Sequence, residues 1–442
     1  MLKCIGIRRE TKDKTQSRTP LSPDQVRRLV SDHGIKVVVE SWERRVFADE
    51  EYRTAGAEVS DDQKSCNIIF GVKEIAPEYL AHGQTYCFFS HTVKGQAYNM
   101  PMLQTIIDRK ITLLDYEMVT DDQGRRLIYF GDYAGYAGMV DGLWALGRRL
   151  DHEGITNPFS HIRYATDYAG LSEIREALGV TAAQIRRDGL DPQLVPFVCG
   201  FTGYGHVSKS AQSLFDILPV ETIAASDLES FMQRGSFSNK CVYKVEFSKP
   251  DLYVSAKHGE GFDAQCFRED PSAFQCIFER YVPHLAMIVN GIYWEPRFPR
   301  LLTKAFMHRW FPSAQDPRLR VIADITCDVD GSIELTVKET NADNPVFVYE
   351  PASETVRDGW EGTGPVILAV DKLPTELPLE SSQAFGESLM PWVPTLANID
   401  FTKPLDQLLL PESWERALIV HNGILTPRYK DLQKSIDKEN LK

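Results

Sequence analysis

The chain has 442 residues, 43% apolar and 25% charged, the balance of a soluble globular enzyme of two or three domains. A formal charge of −13 excludes a generic nucleic-acid binder, whose affinity rests on basic neutralisation of phosphates. No apolar run reaches the roughly 20 residues that span a bilayer, which excludes a membrane helix. The N-terminus, MLKCIGIRRE, has neither the apolar core nor the cleavage site of a signal peptide. A cytoplasmic protein is expected, or an organelle-matrix one if a presequence has been removed. Eight cysteines lie far apart without a CxxC, so buried reduced thiols are expected and no metal site.

In chain order, the sequence predicts a strand at 3–7, a helix at 23–33 opened by Ser22, and a strand at 36–39. A helix at 49–55 and strands at 68–72 and 86–89 follow, then a helix at 100–110 and a strand at 112–115. Short apolar strands alternating with amphipathic helices indicate an α/β layer with a mainly parallel sheet. A long helix is predicted over 133–150. Its glycines and alanines cost helix propensity, which close backbone packing must offset. Residues 151–195 are charged and have no assigned role. Beyond them lies a strand–turn–helix block at 196–218, then strands at 221–224, 287–289, 320–325 and 366–370. Two prolines interrupt 371–378, and the charged tail after 426 reads as helical. The second α/β domain is expected to start near Asp132.

The block Val-Pro-Phe-Val-Cys-Gly-Phe-Thr-Gly203-Tyr-Gly205-His-Val-Ser208 joins an apolar strand to a helix. Gly203 would permit the tight turn. Gly205 would let a pyrophosphate approach the backbone, and the helix N-terminus would hold the anion. Ser208 replaces the third glycine of the dinucleotide fingerprint. An acid for the ribose 2′-hydroxyl belongs about 20 residues on. The strand there ends at Ala224, and without a clear carboxylate the pocket tilts towards NADP, with NAD left open.

Four further segments read as strand ends carrying reactive groups, around Arg18, Lys73, His91 and Glu117. A lysine at the mouth of an apolar strand loses solvation, which lowers its pKa. A histidine there has an intrinsic pKa suited to proton transfer. Because open α/β sheets gather ligands at the carboxyl ends of their strands, Lys73, His91 and Glu117 would meet in one cleft.

These blocks carry a resemblance. Arg18 before TPLSP, then GVKE, FFSHTVKGQ, LLDYE, DDQGRR and FGDYAGYAGMVDGLWALGRRL are similar to the alanine dehydrogenase/saccharopine dehydrogenase family. FTGYGHVSKSAQ, VNGIYWEPRFPRLLT, IADITCDVDGSIE and VDKLPTELPLE extend it over nearly the whole chain, towards the lysine–2-oxoglutarate reductase branch. The resemblance implies two Rossmann-like α/β domains with mainly parallel sheets, separated by an active-site cleft. The substrate domain would be 1–131 plus about 345–442, and the dinucleotide domain 132–344. The chain would end where the reductase half of the bifunctional lysine-degrading enzyme ends. The implied reaction is NAD(P)H-dependent condensation of lysine with 2-oxoglutarate to saccharopine. Lys73 and His91 would be the acid–base pair and Glu117 would tune them. Arg18, Arg126 and Glu74 would bind substrate. The cofactor would meet Gly203, Gly205, Val207, Ser208, Ala224, Asn290, Ile292 and Asp324. Relatives of this kind often self-associate, so a homo-oligomer is the expectation. The alternatives are a reductase of the same fold joining another amine to a 2-oxo acid, as in opine metabolism, an NAD-dependent lysine-forming saccharopine dehydrogenase, and a non-catalytic nucleotide-binding module.

Overall fold

The computed structural model describes residues 3–12, 14–256 and 261–440. It divides into two units, one made of the chain up to Phe130 together with the segment from Pro378, the other Gly131–Leu377. Both are α/β, each built on a largely parallel eight-stranded sheet, so the predicted class holds.

In the first unit, Cys4–Ile7 lies inside the sheet and is buried throughout, as a strand covered on both faces must be. The chain winds outward to one side through helix Pro23–His33, strand Lys36–Val39, helix Asp49–Thr54 and strand Glu58–Val59. Ser22 starts the first helix with a reciprocal capping box to Gln25, and Gly34 ends it at φ 61°. The chain then crosses back to lay Ile68–Phe70 on the other side of Cys4–Ile7, followed by Thr85–Phe88 and Thr112–Asp115. This reversal is a topological switch point, where a crevice opens at the carboxyl ends of the strands. The returning segment adds helix Pro378–Leu389 and the antiparallel edge strands Leu418–His421 and Ile424–Leu425.

The return comes at Pro378 and not near 345. Strands Val346–Glu350, Thr355–Asp358 and Val366–Leu368 hydrogen-bond into the second sheet, which ties 345–377 to the second unit.

The second sheet runs, edge to edge, Thr355–Asp358, Val346–Glu350, Val366–Leu368, Val321–Asp324, Met287–Asn290, Val198–Thr202, Val242–Phe247 and Val220–Thr222. Val220–Thr222 is the next strand in sequence after Val198–Thr202, yet it lies at the edge with Val242–Phe247 between them. The long helix runs Gly131–His152. A Cβ on Gly135 would come within 2.1 Å of the Val207 carbonyl, and one on Gly147 within 2.5 Å of the Phe159 carbonyl. Its small residues thus serve the close packing expected of them. Residues 151–195 form a covering layer: helix Leu171–Asp188 buries Ile174, Leu178 and Ile185 in one core with Leu143, Leu146 and Leu214.

Candidate functional site

The carboxyl ends of three parallel strands in the first unit converge on Glu74. Its Oε1 lies 2.7 Å from Nδ1 of His91 and 2.6 Å from Nζ of Lys12. Burial opposes ionisation of Glu74, but the hydrogen bonds from His91 and Lys12 outweigh it and bring the carboxyl down to about 2. An ionised Glu74 holds the proton on Nδ1 of His91 and leaves Nε2 as the basic nitrogen. His91 has φ 48°, in the left-handed region, and Asn99 braces it by donating to the carbonyls of Ser90 and His91. The His91 ring stacks on Phe89 at 6.1 Å.

Lys73 follows directly from a backbone clamp. The buried Glu10 carboxylate accepts the N–H groups of Val72 and Lys73 at 2.7 and 2.8 Å. Burial pushes the Glu10 carboxyl up, while Arg8 and the two N–H groups pull it down. Arg8 is 4% exposed, and its Nη1 has no hydrogen-bond partner among the described residues. Glu10, Arg8 and Lys12 all belong to the segment after the first strand. This segment, which follows the apolar strand Cys4–Ile7, carries the same strand-end signal as Lys73 and His91 and is not among the residues expected from the sequence.

Arg18 is buried, its Nε donating to Gln16 at 2.8 Å and its guanidinium lying 4.2 Å above the Phe130 ring. Glu117 is ion-paired with Arg126 at 2.5 Å. The carboxylate hydrogen-bonded to His91 is Glu74, which the resemblance assigns to substrate binding. Beneath them Asp115 accepts from the N–H and hydroxyl of Ser90; burial raises its carboxyl to about 6 despite those bonds.

In the second unit a cavity of about 440 Å³ opens over the glycine turn, lined by Gly203, Gly205, Val207, Lys249, Ile292 and Ile325. Gly203 has φ 85°, and a Cβ there would lie 2.8 Å from the Gly291 carbonyl. A Cβ on Gly205 would meet nothing within 4 Å, so that side of the backbone is open to a ligand. Helix His206–Phe215 starts at the turn, and a Cβ on Gly291 would come 3.2 Å from the Ser208 nitrogen. The close approach that a third glycine usually permits on the helix is here permitted by Gly291 across from it, which explains how Ser208 is tolerated. Turn, open backbone and helix N-terminus together fit the pyrophosphate of a dinucleotide.

Of the expected cofactor residues, Ser208, Ala224, Asn290 and Asp324 are not among those lining this cavity. Asn290 and Asp324 are buried in a network: Asn290 donates to Asp324 at 2.8 Å and to Ser332 at 2.9 Å, and accepts from Thr202. Ala224 follows the edge strand, separated from the turn by Val242–Phe247, and does not line the cavity. A larger hollow of about 650 Å³ lies near Val220, Cys241 and Lys244, away from the glycine turn. Among the described residues, no group of three His, Cys, Asp or Glu side chains could hold a metal, and no helix is long and apolar enough to cross a membrane.

Residues 6–137 match the family pattern described as alanine dehydrogenase/PNT, N-terminal domain. The chain is 36% identical over 443 residues to alpha-aminoadipic semialdehyde synthase of Arabidopsis thaliana, an alignment covering 96% of this chain and 41% of that protein. It is 32% identical to the mitochondrial alpha-aminoadipic semialdehyde synthase of Bos taurus, covering 97% and 47%. The chain thus spans less than half the length of these relatives. With the NAD(+), L-lysine-forming saccharopine dehydrogenase of Emericella nidulans it shares 27% identity, over 88% of this chain and 90% of that protein. A solved L-alanine dehydrogenase superposes with a TM-score of 0.61 at 19% identity, over 99% of both chains, which shows the shared fold.

Proposed function

The chain belongs to the alanine dehydrogenase/saccharopine dehydrogenase family, and from that premise we propose that it is a lysine–2-oxoglutarate reductase, condensing L-lysine with 2-oxoglutarate to saccharopine at the expense of NAD(P)H. The observation that carries this reading is the Lys12–Glu74–His91 array, with Lys73 beginning at the Glu10 clamp, at the strand ends of the first unit. The ε-amine of lysine has a pKa near 10.4 and must be deprotonated before it attacks the ketone. His91, oriented through Nδ1 by ionised Glu74, offers Nε2 as the base. The resulting carbinolamine loses its hydroxyl as water once an acid protonates it, and Lys73 shares the proton work with His91. Arg18 and Arg126 meet the substrate carboxylates, and the Phe130 ring fixes the plane of the Arg18 guanidinium for a bidentate contact. When bound at the glycine turn, the nicotinamide cofactor supplies the hydride that reduces the imine. The likeness to the lysine-forming saccharopine dehydrogenase, over nearly the full length of both, supports the same bond being broken in the oxidative direction.

The test is cofactor oxidation with lysine and a panel of other amines, each offered with several 2-oxo acids. Lysine with 2-oxoglutarate is expected to be the preferred pair. Lys73→Met and His91→Gln are expected to lower kcat by ~10²–10⁴, with cofactor affinity intact. A different preferred pair would mark a reductase of the same fold with another substrate. No turnover with any pair, and cofactor binding retained, would mark a binding module.

A further inference from the structure

In a dinucleotide-binding sheet the adenosine ribose lies over the carboxyl end of the strand next to the glycine-turn strand, and the side chain there reads the 2′ position. Here that neighbour is Val242–Phe247. Phe247 pairs in register with Thr202, so Ser248 and Lys249 follow on the level of Gly203 and Tyr204. Lys249 lines the same cavity as Gly203 and Gly205.

The two nearest carboxylates in sequence are already engaged. Glu246 accepts from the Gln212 amide at 2.6 Å. Asp251 accepts from the N–H and the hydroxyl of Ser248 at 2.8 and 2.5 Å. The Lys249 ammonium lies 5.2 Å from the Phe267 ring centroid and 5.9 Å from that of Phe298. Among the described residues it has no ion-pair partner. Burial and the charge of Arg268 both disfavour its protonated form. A partly buried cation that lines a cavity is stabilised by an anion brought beside it.

We propose that Lys249 receives the 2′-phosphate of NADP(H), making the second unit selective for NADP(H) over NAD(H). This rests on reading the glycine turn as the dinucleotide site. A carboxylate at this strand end would accept a hydrogen bond from a free ribose 2′-hydroxyl and repel a phosphate, and a cation reverses both preferences. The choice between cofactors therefore lies at Lys249 and not at Ala224, which follows the displaced edge strand.

Titration of NADPH and NADH fluorescence with the purified chain tests this without turnover. NADPH is expected to bind about tenfold or more tighter than NADH, the size of one charge-assisted hydrogen bond. Lys249→Ala should remove that advantage and leave NADH affinity within about twofold, and Lys249→Arg should retain it. Adenosine 2′,5′-bisphosphate should displace NADPH far better than adenosine 5′-monophosphate, and should lose this advantage in Lys249→Ala. Equal weakening of both cofactors in Lys249→Ala would place the lysine on the pyrophosphate and overturn the assignment. Tighter binding of NADH by the unsubstituted chain would overturn it as well. Absence of binding by either cofactor would overturn the dinucleotide reading itself, and the assignment with it.

Discussion

Glu10 holds two backbone N–H groups on one buried carboxylate, and those groups set the direction from which Lys73 leaves the sheet. Glutamine at this position would turn an NH₂ towards one of them. A buried donor left without an acceptor costs about 1–3 kcal/mol. Glu10→Gln is therefore expected to lower stability by about that amount in urea titrations and to lower kcat, while cofactor affinity stays unchanged. An unaltered kcat would show that the clamp does not position Lys73. Lys73 and His91 were legible at this scale because each directly follows an apolar strand. Glu10 carries the same strand-end signal, but its role does not show in it, because that role depends on Cys4–Ile7 and Ile68–Phe70, distant in sequence, being neighbours.

The long helix Gly131–His152 meets helix His206–Phe215 through backbone as well as side chains. At Gly135 a Cβ would sit 2.0 Å from the Ser210 hydroxyl and 2.1 Å from the Val207 carbonyl, and a carbonyl cannot rotate away. Gly135→Ala gains about 1 kcal/mol in helix propensity, but such overpacking typically costs about 1–3 kcal/mol, so a net loss in melting temperature is expected. Because the displaced helix carries the glycine turn, dinucleotide affinity should fall with it. Gly179 in helix Leu171–Asp188 is the control: its Cβ would meet nothing within 4 Å, so Gly179→Ala should stabilise and leave binding untouched. If both substitutions raise the melting temperature, the helices are not in the contact described.

At the scale of the whole molecule, two carboxyls buried in the second unit contribute to the response to pH. Burial, and then the Glu376 carboxyl beside it, push Asp141 well above the ordinary carboxylate range. Burial likewise raises Glu376, against the neighbouring Asp141 carboxyl and the hydrogen bond from Tyr164. The folded chain thus keeps protons that the unfolded chain releases near pH 4. Stability from this pair is greatest below that pH and falls as pH rises towards the raised values. Asparagine at 141 can still accept from the Ala165 N–H, as Asp141 does at 2.8 Å, and offers Glu376 a permanent donor. Denaturation midpoints measured at pH 5 and pH 8 should differ less in Asp141→Asn than in the unsubstituted chain. Equal differences in the two would remove Asp141 from the pH response.

Local sequence pattern was enough for the α/β class, most of the strands, the glycine turn and the placing of Lys73 and His91 at strand ends. These follow from local periodicity and from what an apolar strand does to the residue after it. It also showed that the long helix must pack closely, since so many glycines are otherwise unfavourable in a helix. Tertiary structure alone decided which strands are neighbours, because hydrogen-bond pairing between distant segments leaves no local trace. That pairing set Glu74 against His91, and closed the second unit at Leu377 and not near 345. It also slipped Val242–Phe247 beside the glycine-turn strand, so that Lys249, 46 positions after Gly203, stands where a rule counting about 20 residues pointed to Ala224.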